Sequence, residues 1–245
     1  MRAMVLAAGL GTRLRPHTDD RPKALVELGG RTLLEITLTR LRASGIHDVI
    51  VNAHHFADSL VEYLRCHDNF GMNVVVSRED LLLDTGGGLK AAAYFLNGSS
   101  EPFLLHNVDV LSNIDFERML TFHREHDALA TLAMRQRPGR RQLLFDEHAL
   151  LCGRRTKGVA ADEVVRPARQ LMPLAFSGIH VISPRIFDCM TDEGAFSVIG
   201  AYLRMAAAGE KIAAFRADDY YWRDLGTMER LQAAEADINS GLVRI

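Results

Sequence analysis

Short, continuously apolar runs alternate along the chain with longer stretches whose apolar residues recur every three to four positions. This is the pattern of buried strands separated by amphipathic helices. Ala3-Met4-Val5-Leu6-Ala7 reads as the first buried strand. Residues 24–28 form an apolar run closed by the Gly29-Gly30 turn. Thr32 then caps a helix carrying Leu33, Leu34, Ile36, Leu38 and Leu41, which stops at Gly45. Further strands are predicted over 49–51, 74–76 and 103–105, and helices over 56–64, 89–96 and 114–126. Residues 129–134 and 142–145 read as strands flanking an exposed turn, Arg137-Pro138-Gly139-Arg140-Arg141. A strand over 175–182, a short helix after Pro184, a helix over 202–208 and a last helix over 227–238 complete the pattern. The alternation predicts an α/β fold, a mixed but mostly parallel sheet with helices on both faces. We expect one domain over 1–245, with a composition change near residue 135 separating an N-terminal nucleotide-binding half from a half that receives a second substrate.

Composition narrows the partners. Of 245 residues, 48% are hydrophobic and 24% charged, and the formal net charge is −2, so bulk electrostatics give no affinity for nucleic acid. No apolar run reaches membrane length, and the brief N-terminal one runs straight into Arg13 and Arg15, unlike a signal peptide. Cys66, Cys152 and Cys189 are widely spaced, without a Cys-x-x-Cys pair, and read as buried, inert thiols of a reducing cytoplasm.

Directly after the first strand the chain sheds its side chains at Ala7, Ala8, Gly9 and Gly11, then supplies Arg13, Arg15 and, past Pro22, Lys23. Bare amides turned toward one point form an anion nest, and the adjacent cations suit a polyphosphate. The run is not a dinucleotide fingerprint, whose third glycine is replaced here by Leu14, and it is not a P-loop, which needs Gly-Lys-Ser/Thr. Asp109 follows the predicted strand over 103–105, at the sheet edge where α/β ligands gather, and Asp224 directly precedes the last helix. If the fold brings these two acids together, they make an oxygen-rich pair suited to Mg²⁺. Asn52 ends a strand and is expected to reach a nucleobase edge. Asp84-Thr85-Gly86-Gly87-Gly88 opens a helix, where glycines let a flat base lie against the backbone. His54 and His55 would point apart on a strand, and the ten histidines form no metal set.

These motifs together resemble the sugar-1-phosphate nucleotidyltransferases. The family signature Leu-Ala-x-Gly-x-Gly-Thr-Arg-Leu-x-Pro stands at 6–16 and its Pro-Lys-x-Leu at 22–25; Asn107-Val108-Asp109 matches the acidic strand-end motif and Asp224 the late aspartate. Phe176-Ser177-Gly178-Ile179 matches the segment lining the sugar pocket, and residues 79–88 most resemble those of short bacterial uridylyltransferases acting on N-acetylmuramate 1-phosphate. The resemblance implies a three-layer, Rossmann-like fold of the kind shared with GT-A glycosyltransferases. It implies attack of a sugar 1-phosphate on the α-phosphorus of a nucleoside triphosphate, with UTP favoured, Mg²⁺ as cofactor and pyrophosphate as leaving group. Arg13, Lys23 and Asp109 are the implied catalytic residues, and Asp109 and Asp224 the implied metal ligands. Leu6, Ala7, Ala8, Gly9, Gly11, Thr12, Arg13, Lys23, Asn52, Thr85, Gly86 and Gly87 would bind the nucleotide, and Asn107, Phe176, Ser177 and Gly178 the sugar. The attacking phosphate oxygen is already anionic, so no general base is needed. Two departures stand out: Val108 replaces a frequent glycine, and no Glu-Lys-Pro precedes Phe176, leaving Lys157, Arg166 and Arg169 as substitute cations. A guanylyl- or cytidylyltransferase on mannose-, heptose- or choline-type phosphates is the nearest alternative. A silent nucleotide-sugar-binding regulator is another, although Lys23, Asp109 and Asp224 are all retained.

Overall fold

Alternation of side chains about a pleated strand decides the layers. In the computed structural model, which describes residues 1–245, Ala3 and Val5 of the first strand face one core while Met4 faces the other, and all three are fully buried. The chain runs through β1 (Arg2–Leu6), β2 (Glu27–Leu28), β3 (Arg31–Thr32), α1 (Leu33–Ala43), β4 (Asp48–Ala53), α2 (Ala57–Cys66) and β5 (Asn73–Arg78). It continues through α3 (Asp84–Ala91), α4 (Ala93–Leu96), β6 (Phe103–Asn107), β7 (Val110–Ser112), α5 (Phe116–Glu125), β8 (Ala130–Arg135), β9 (Arg141–Phe145) and β10 (Leu151–Thr156). The last elements are β11 (Glu163–Val164), β12 (Met172–Ile182), α6 (Ile186–Cys189), α7 (Val198–Ala207), β13 (Ile212–Arg216), β14 (Trp222–Asp224) and α8 (Met228–Asn239).

Strands β5, β4, β1 and β6 pair in parallel, in that order. The second half of β12 joins β6 antiparallel, β8 returns antiparallel beside it, and β13 lies parallel to β8. Only β12 opposes the common direction, so the sheet is mixed and mostly parallel, as the alternation predicts. The first half of β12 leaves that sheet to pair with β9, which continues into β10 and β11 as an outer antiparallel ribbon. Two hydrophobic cores flank the sheet: one under α1, α2, α5 and α8, the other under α3, α4 and α7.

Local chemistry accounts for the element ends. Thr32 Oγ1 accepts from Glu35 N at 3.1 Å and caps α1, and Gly45, at φ +75°, ends the turn after it. The run 24–28 contributes little strand: Lys23–Leu25 is one 3₁₀ turn following Pro22, and only Glu27–Leu28 pairs, with Arg31–Thr32. Cys152 is buried, but Cys66 is exposed at the end of α2 and Cys189 half-buried, which corrects the expectation of three buried thiols. Cys66 Sγ donates to Glu62 Oε1 at 3.2 Å, and that neighbour raises its pKa. No helix is long and apolar enough to cross a membrane.

Three histidines are sealed in the cores. His106 lies on β6 with Nδ1 donating to Asn107 O, His180 on β12 shares a hydrogen bond with the Tyr202 hydroxyl, and His123 on α5 pairs with Thr131 Oγ1. Burial lowers their pKa values, to about 3 for His106 and His180 and about 4 for His123. In the unfolded chain they protonate near the ordinary value of ~6.5. Between those limits the unfolded state binds more protons than the native one, so stability falls as pH falls. Unfolding followed from about pH 8 to 4.5 should show a stability that is level above ~7 and declines below ~6.5, approaching a limiting slope of ~4 kcal/mol per pH unit for three sites, with the melting temperature falling in step. A flat profile across that window would contradict the sealed, neutral imidazoles.

Candidate active site

The first functional loop leaves β1 at the carboxyl edge of the parallel strands. Leu6, Ala7, Ala8 and Gly9 line one wall of a cavity of about 340 Å³, and Lys23, Asn52, Leu82, Asp84, Thr85, Asn107, Val108 and Asp109 line the rest. Gly11 sits at φ +65°, and a Cβ there would come within 2.9 Å of Thr18 Cγ2, so this glycine is required by the turn itself. Gly9 differs. It has no positive φ, and a Cβ added to it would meet no protein atom within 4 Å. The backbone N–H groups of Ala8, Gly9, Leu10 and Gly11 donate to no other part of the protein. Two unspent amides, of Ala8 and Gly9, thus line the cavity with Lys23, and those of Leu10 and Gly11 follow directly in the chain.

Asn52 is buried at the end of β4. Its Oδ1 accepts from Ala7 N at 2.7 Å, and its Nδ2 donates to Glu79 Oε1 at 2.7 Å, while Glu79 Oε2 accepts from Leu83 N at 3.1 Å. The side chain expected to read a base edge is therefore occupied in tying the glycine loop to the segment before α3. Glu79, a buried carboxylate that the sequence does not mark as functional, completes this relay.

The glycine triplet stands in the first turns of α3, which begins at Asp84 as the sequence predicts, and all three glycines are buried. A Cβ at Gly86 would lie 2.4 Å from the Phe196 ring, one at Gly87 2.3 Å from Gly194 O, and one at Gly88 2.8 Å from Glu79 Oε1. The Gly86 and Gly87 amides donate to Phe196 O at 2.8 and 3.3 Å. The close approach inferred from the glycines is real, but the partner is the chain's own segment 194–196 rather than a flat base. Thr85 lines the cavity, with Oγ1 accepting from Val198 N at 3.0 Å.

Asp109 and Asp224 converge. Asp109 occupies the turn between β6 and β7, and β14 pairs antiparallel with β7 so that Asp224 stands opposite Val110. The Leu225 amide donates to Asp109 O at 2.8 Å, which locks the two turns together. Arg40 fixes the ribbon from below: it donates to Ser112 Oγ at 2.8 Å and to Ile114 O, its guanidinium lies 4.1 Å over the Phe116 ring, and burial lowers its pKa to about 10. Lys23 Nζ pairs with Asp109 Oδ2. Arg230 Nη1 pairs with Asp224 Oδ2 at 2.6 Å, and Asp224 Oδ1 accepts from Gly226 N at 2.7 Å. Arg13 is exposed and reaches the same turn, its Nη2 lying 2.8 Å from where a Gly226 Cβ would sit. Thr12 is exposed on the 3₁₀ turn outside the cavity wall. Two carboxylates on adjoining rungs are a hard-oxygen donor set of the kind Mg²⁺ takes, completed by phosphate oxygens and water.

Beside the acidic ribbon, β12 carries an irregularity. Its register with β8 shifts between Phe176 and His180, and Gly178 there has φ +78°, with Asn107 Nδ2 3.0 Å and Val110 Cγ2 2.7 Å from a hypothetical Cβ. Phe176, Ser177, Gly178 and Asn107 are thus brought together, next to the acidic ribbon. Trp222 Nε1 donates to Ser177 O at 2.7 Å, and Arg137, expected in an exposed turn, folds back to donate to Phe176 O at 2.9 Å. The substitute cations lie elsewhere. Arg166 donates to Glu210 O, Lys157 stands with Arg140 and Arg155 on the outer ribbon, and Arg169 is exposed before β12.

Comparison with known proteins accords with this geometry. Residues 2–142 match the family model described as nucleotidyl transferase. The chain is 34% identical over 244 residues to N-acetylmuramate alpha-1-phosphate uridylyltransferase of Caulobacter vibrioides, covering 96% of this chain and 95% of that protein. It is 30% identical to the protein of the same name from Neisseria meningitidis serogroup B, covering 96% and 97%. Among solved structures, HddC from Yersinia pseudotuberculosis complexed with GMP-PN superposes with a TM-score of 0.77 over 97% of this chain and 99% of that one, at 22% identity.

Proposed function

Because the chain belongs to the nucleotidyl transferase family and is an enzyme of the sugar-1-phosphate nucleotidyltransferase class, we propose that it transfers the nucleotidyl group of UTP to N-acetylmuramate 1-phosphate or another hexose 1-phosphate. An oxygen of the acceptor phosphate attacks the α-phosphorus, the bond from that phosphorus to the bridging oxygen breaks, and pyrophosphate leaves. The observation carrying this reading is Gly9: neither its backbone nor its surroundings need a glycine, yet it borders the cavity among four unspent amides. A polyphosphate supplies the missing reason. UTP and the amino-sugar acceptor are preferred because the two relatives carrying those substrates in their names align over nearly the whole length of both chains.

Each residue then has a task. The amides of Ala8 to Gly11 cradle the β- and γ-phosphates, Lys23 and Arg13 take up negative charge that grows on the departing pyrophosphate, and Asn52 and Glu79 hold the loop in register. Asp109 and Asp224 would bind Mg²⁺, which supplies charge neutralisation at the α-phosphate. In the free enzyme Lys23 keeps Asp109 neutralised, so the acidic pair does not repel an incoming polyanion. Rate enhancement rests on alignment and electrostatics, since a phosphate nucleophile arrives deprotonated.

The test is a matrix of UTP, GTP, CTP and dTTP against N-acetylmuramate, N-acetylglucosamine, glucose and mannose 1-phosphates with Mg²⁺, read as pyrophosphate release. UTP with an amino-sugar phosphate should give the highest kcat/KM. A preference for GTP with mannose 1-phosphate would move the reading to the guanylyl alternative, and silence throughout would reject nucleotidyl transfer.

A further inference from the structure

A sugar 1-phosphate brings a dianion into the acceptor half, and the cations there are mostly engaged. Arg223 pairs with Asp237, Arg230 with Asp224, Arg216 with Asp218, Arg154 with Glu163 and Arg155 with Asp162. Arg137 is different. It is half-buried, pairs with no carboxylate, and uses one of its N–H groups on Phe176 O at 2.9 Å. Its guanidinium carbon lies 4.4 Å from the centre of the Trp222 ring, a cation–π contact that restrains the side chain. Asp224 is near enough for its charge to oppose the lowering of the Arg137 pKa by burial.

A second observation points to the same spot. Three buried side-chain polar atoms in the chain have no hydrogen-bond partner: Arg137 Nε, Ser177 Oγ and His106 Nε2. All three border one bulge. Ser177 is in it, Arg137 is bonded to the residue before it, and His106 stands opposite Ile179, just after it. Native proteins rarely leave such atoms unpaired, so three at one bulge single out this corner of the fold. All three atoms are sealed, but Arg137 as a residue is half-buried, and the other N–H groups of its guanidinium are the ones a ligand reaches.

We propose that Arg137 docks the phosphate of the sugar 1-phosphate, held against Trp222 beside the acidic ribbon. The proposal rests on the nucleotidyl-transfer reading above and names the acceptor-binding residue of that site. An arginine fork suits a phosphate because two parallel N–H bonds match two oxygens, a geometry lysine cannot reproduce.

Trp222 is the single tryptophan of the chain, so its emission reports on this contact directly. The full-length protein is titrated with N-acetylmuramate 1-phosphate and N-acetylglucosamine 1-phosphate, with UTP as control, and KM values are measured for both substrates. We expect a saturable emission change with a sugar phosphate. Arg137→Met should raise the apparent Kd and acceptor KM about tenfold or more while the UTP KM stays within about twofold; Arg137→Lys should recover part of the loss. A merely structural arginine would disturb both KM values together and lower the melting temperature. An unchanged acceptor KM in Arg137→Met overturns the proposal; if that variant does not fold, an unchanged acceptor KM in Arg137→Lys does so. Turnover by the native enzyme with no effect of Arg137 substitution sinks this inference alone. Absence of pyrophosphate release with every substrate pair rejects the function, and the fluorescence titration, which needs no turnover, still judges Arg137.

Discussion

Asp109→Asn is expected to lower kcat on the order of 100-fold, about 2.7 kcal/mol of barrier, while leaving the fold intact. The backbone of Asp109 does the structural work at this turn, since its carbonyl accepts from the Leu225 amide, and asparagine preserves that bond. The carboxylate has a different duty. It is paired with Lys23 and lies one rung from Asp224, so its charge is poised to exchange one cation for another. Asparagine keeps the shape and removes the charge, so divalent affinity falls. Raising Mg²⁺ should therefore recover part of the rate, and a Mg²⁺ titration of pyrophosphate release provides the check. Near-native kcat at the native Mg²⁺ optimum would remove Asp109 from the metal site.

Gly9→Val should separate function from stability more sharply than any other single change. A Cβ at Gly9 meets no protein atom within 4 Å, and the backbone is not left-handed there, so the melting temperature should stay within about 2 °C of the native value. The branched side chain would nevertheless project beside the amides of Ala8 to Gly11 and displace a triphosphate from them. Losing one hydrogen bond to a charged group costs about 1.5–3 kcal/mol, so the UTP KM should rise roughly tenfold to 150-fold. Measuring the UTP KM and the melting curve of this variant decides the matter. An unchanged KM would show that the triphosphate lies elsewhere, whereas a large fall in melting temperature would give Gly9 a structural reason it now lacks.

Most of the architecture was legible because it depends on short-range periodicity. Residues 3–7 and 49–51 are apolar on both faces, which is what a central parallel strand requires. Thr32 and Gly45 mark the ends of α1 by local chemistry that no distant residue overrides. Residues 24–28 misled because apolar content alone does not make a strand: the segment turns after Pro22 and still buries Ala24, Val26 and Leu28. The glycine triplet signals a close approach, and the chain that approaches is Phe196 and Gly194, about 110 residues away. Sequence can announce that something approaches a glycine without saying what.

The candidate site divides along the same line. The string from Leu6 to Pro16, with Lys23 close behind, announces an anion cradle by itself, because bare amides and nearby cations are adjacent in the chain. What no spacing contained was the meeting of Asp109 with Asp224, the relay from Ala7 through Asn52 to Glu79, and the folding of Arg137 onto Trp222. Those depend on β14 returning from the far end of the chain to pair with β7 and on β12 bulging at Gly178. Local sequence determined the strands, helix caps and phosphate loop, whose energetics are settled within a few neighbouring residues. Tertiary structure alone decided which distant charges became neighbours, because ribbon register and burial, not chain proximity, set the field in which a carboxylate or guanidinium acts.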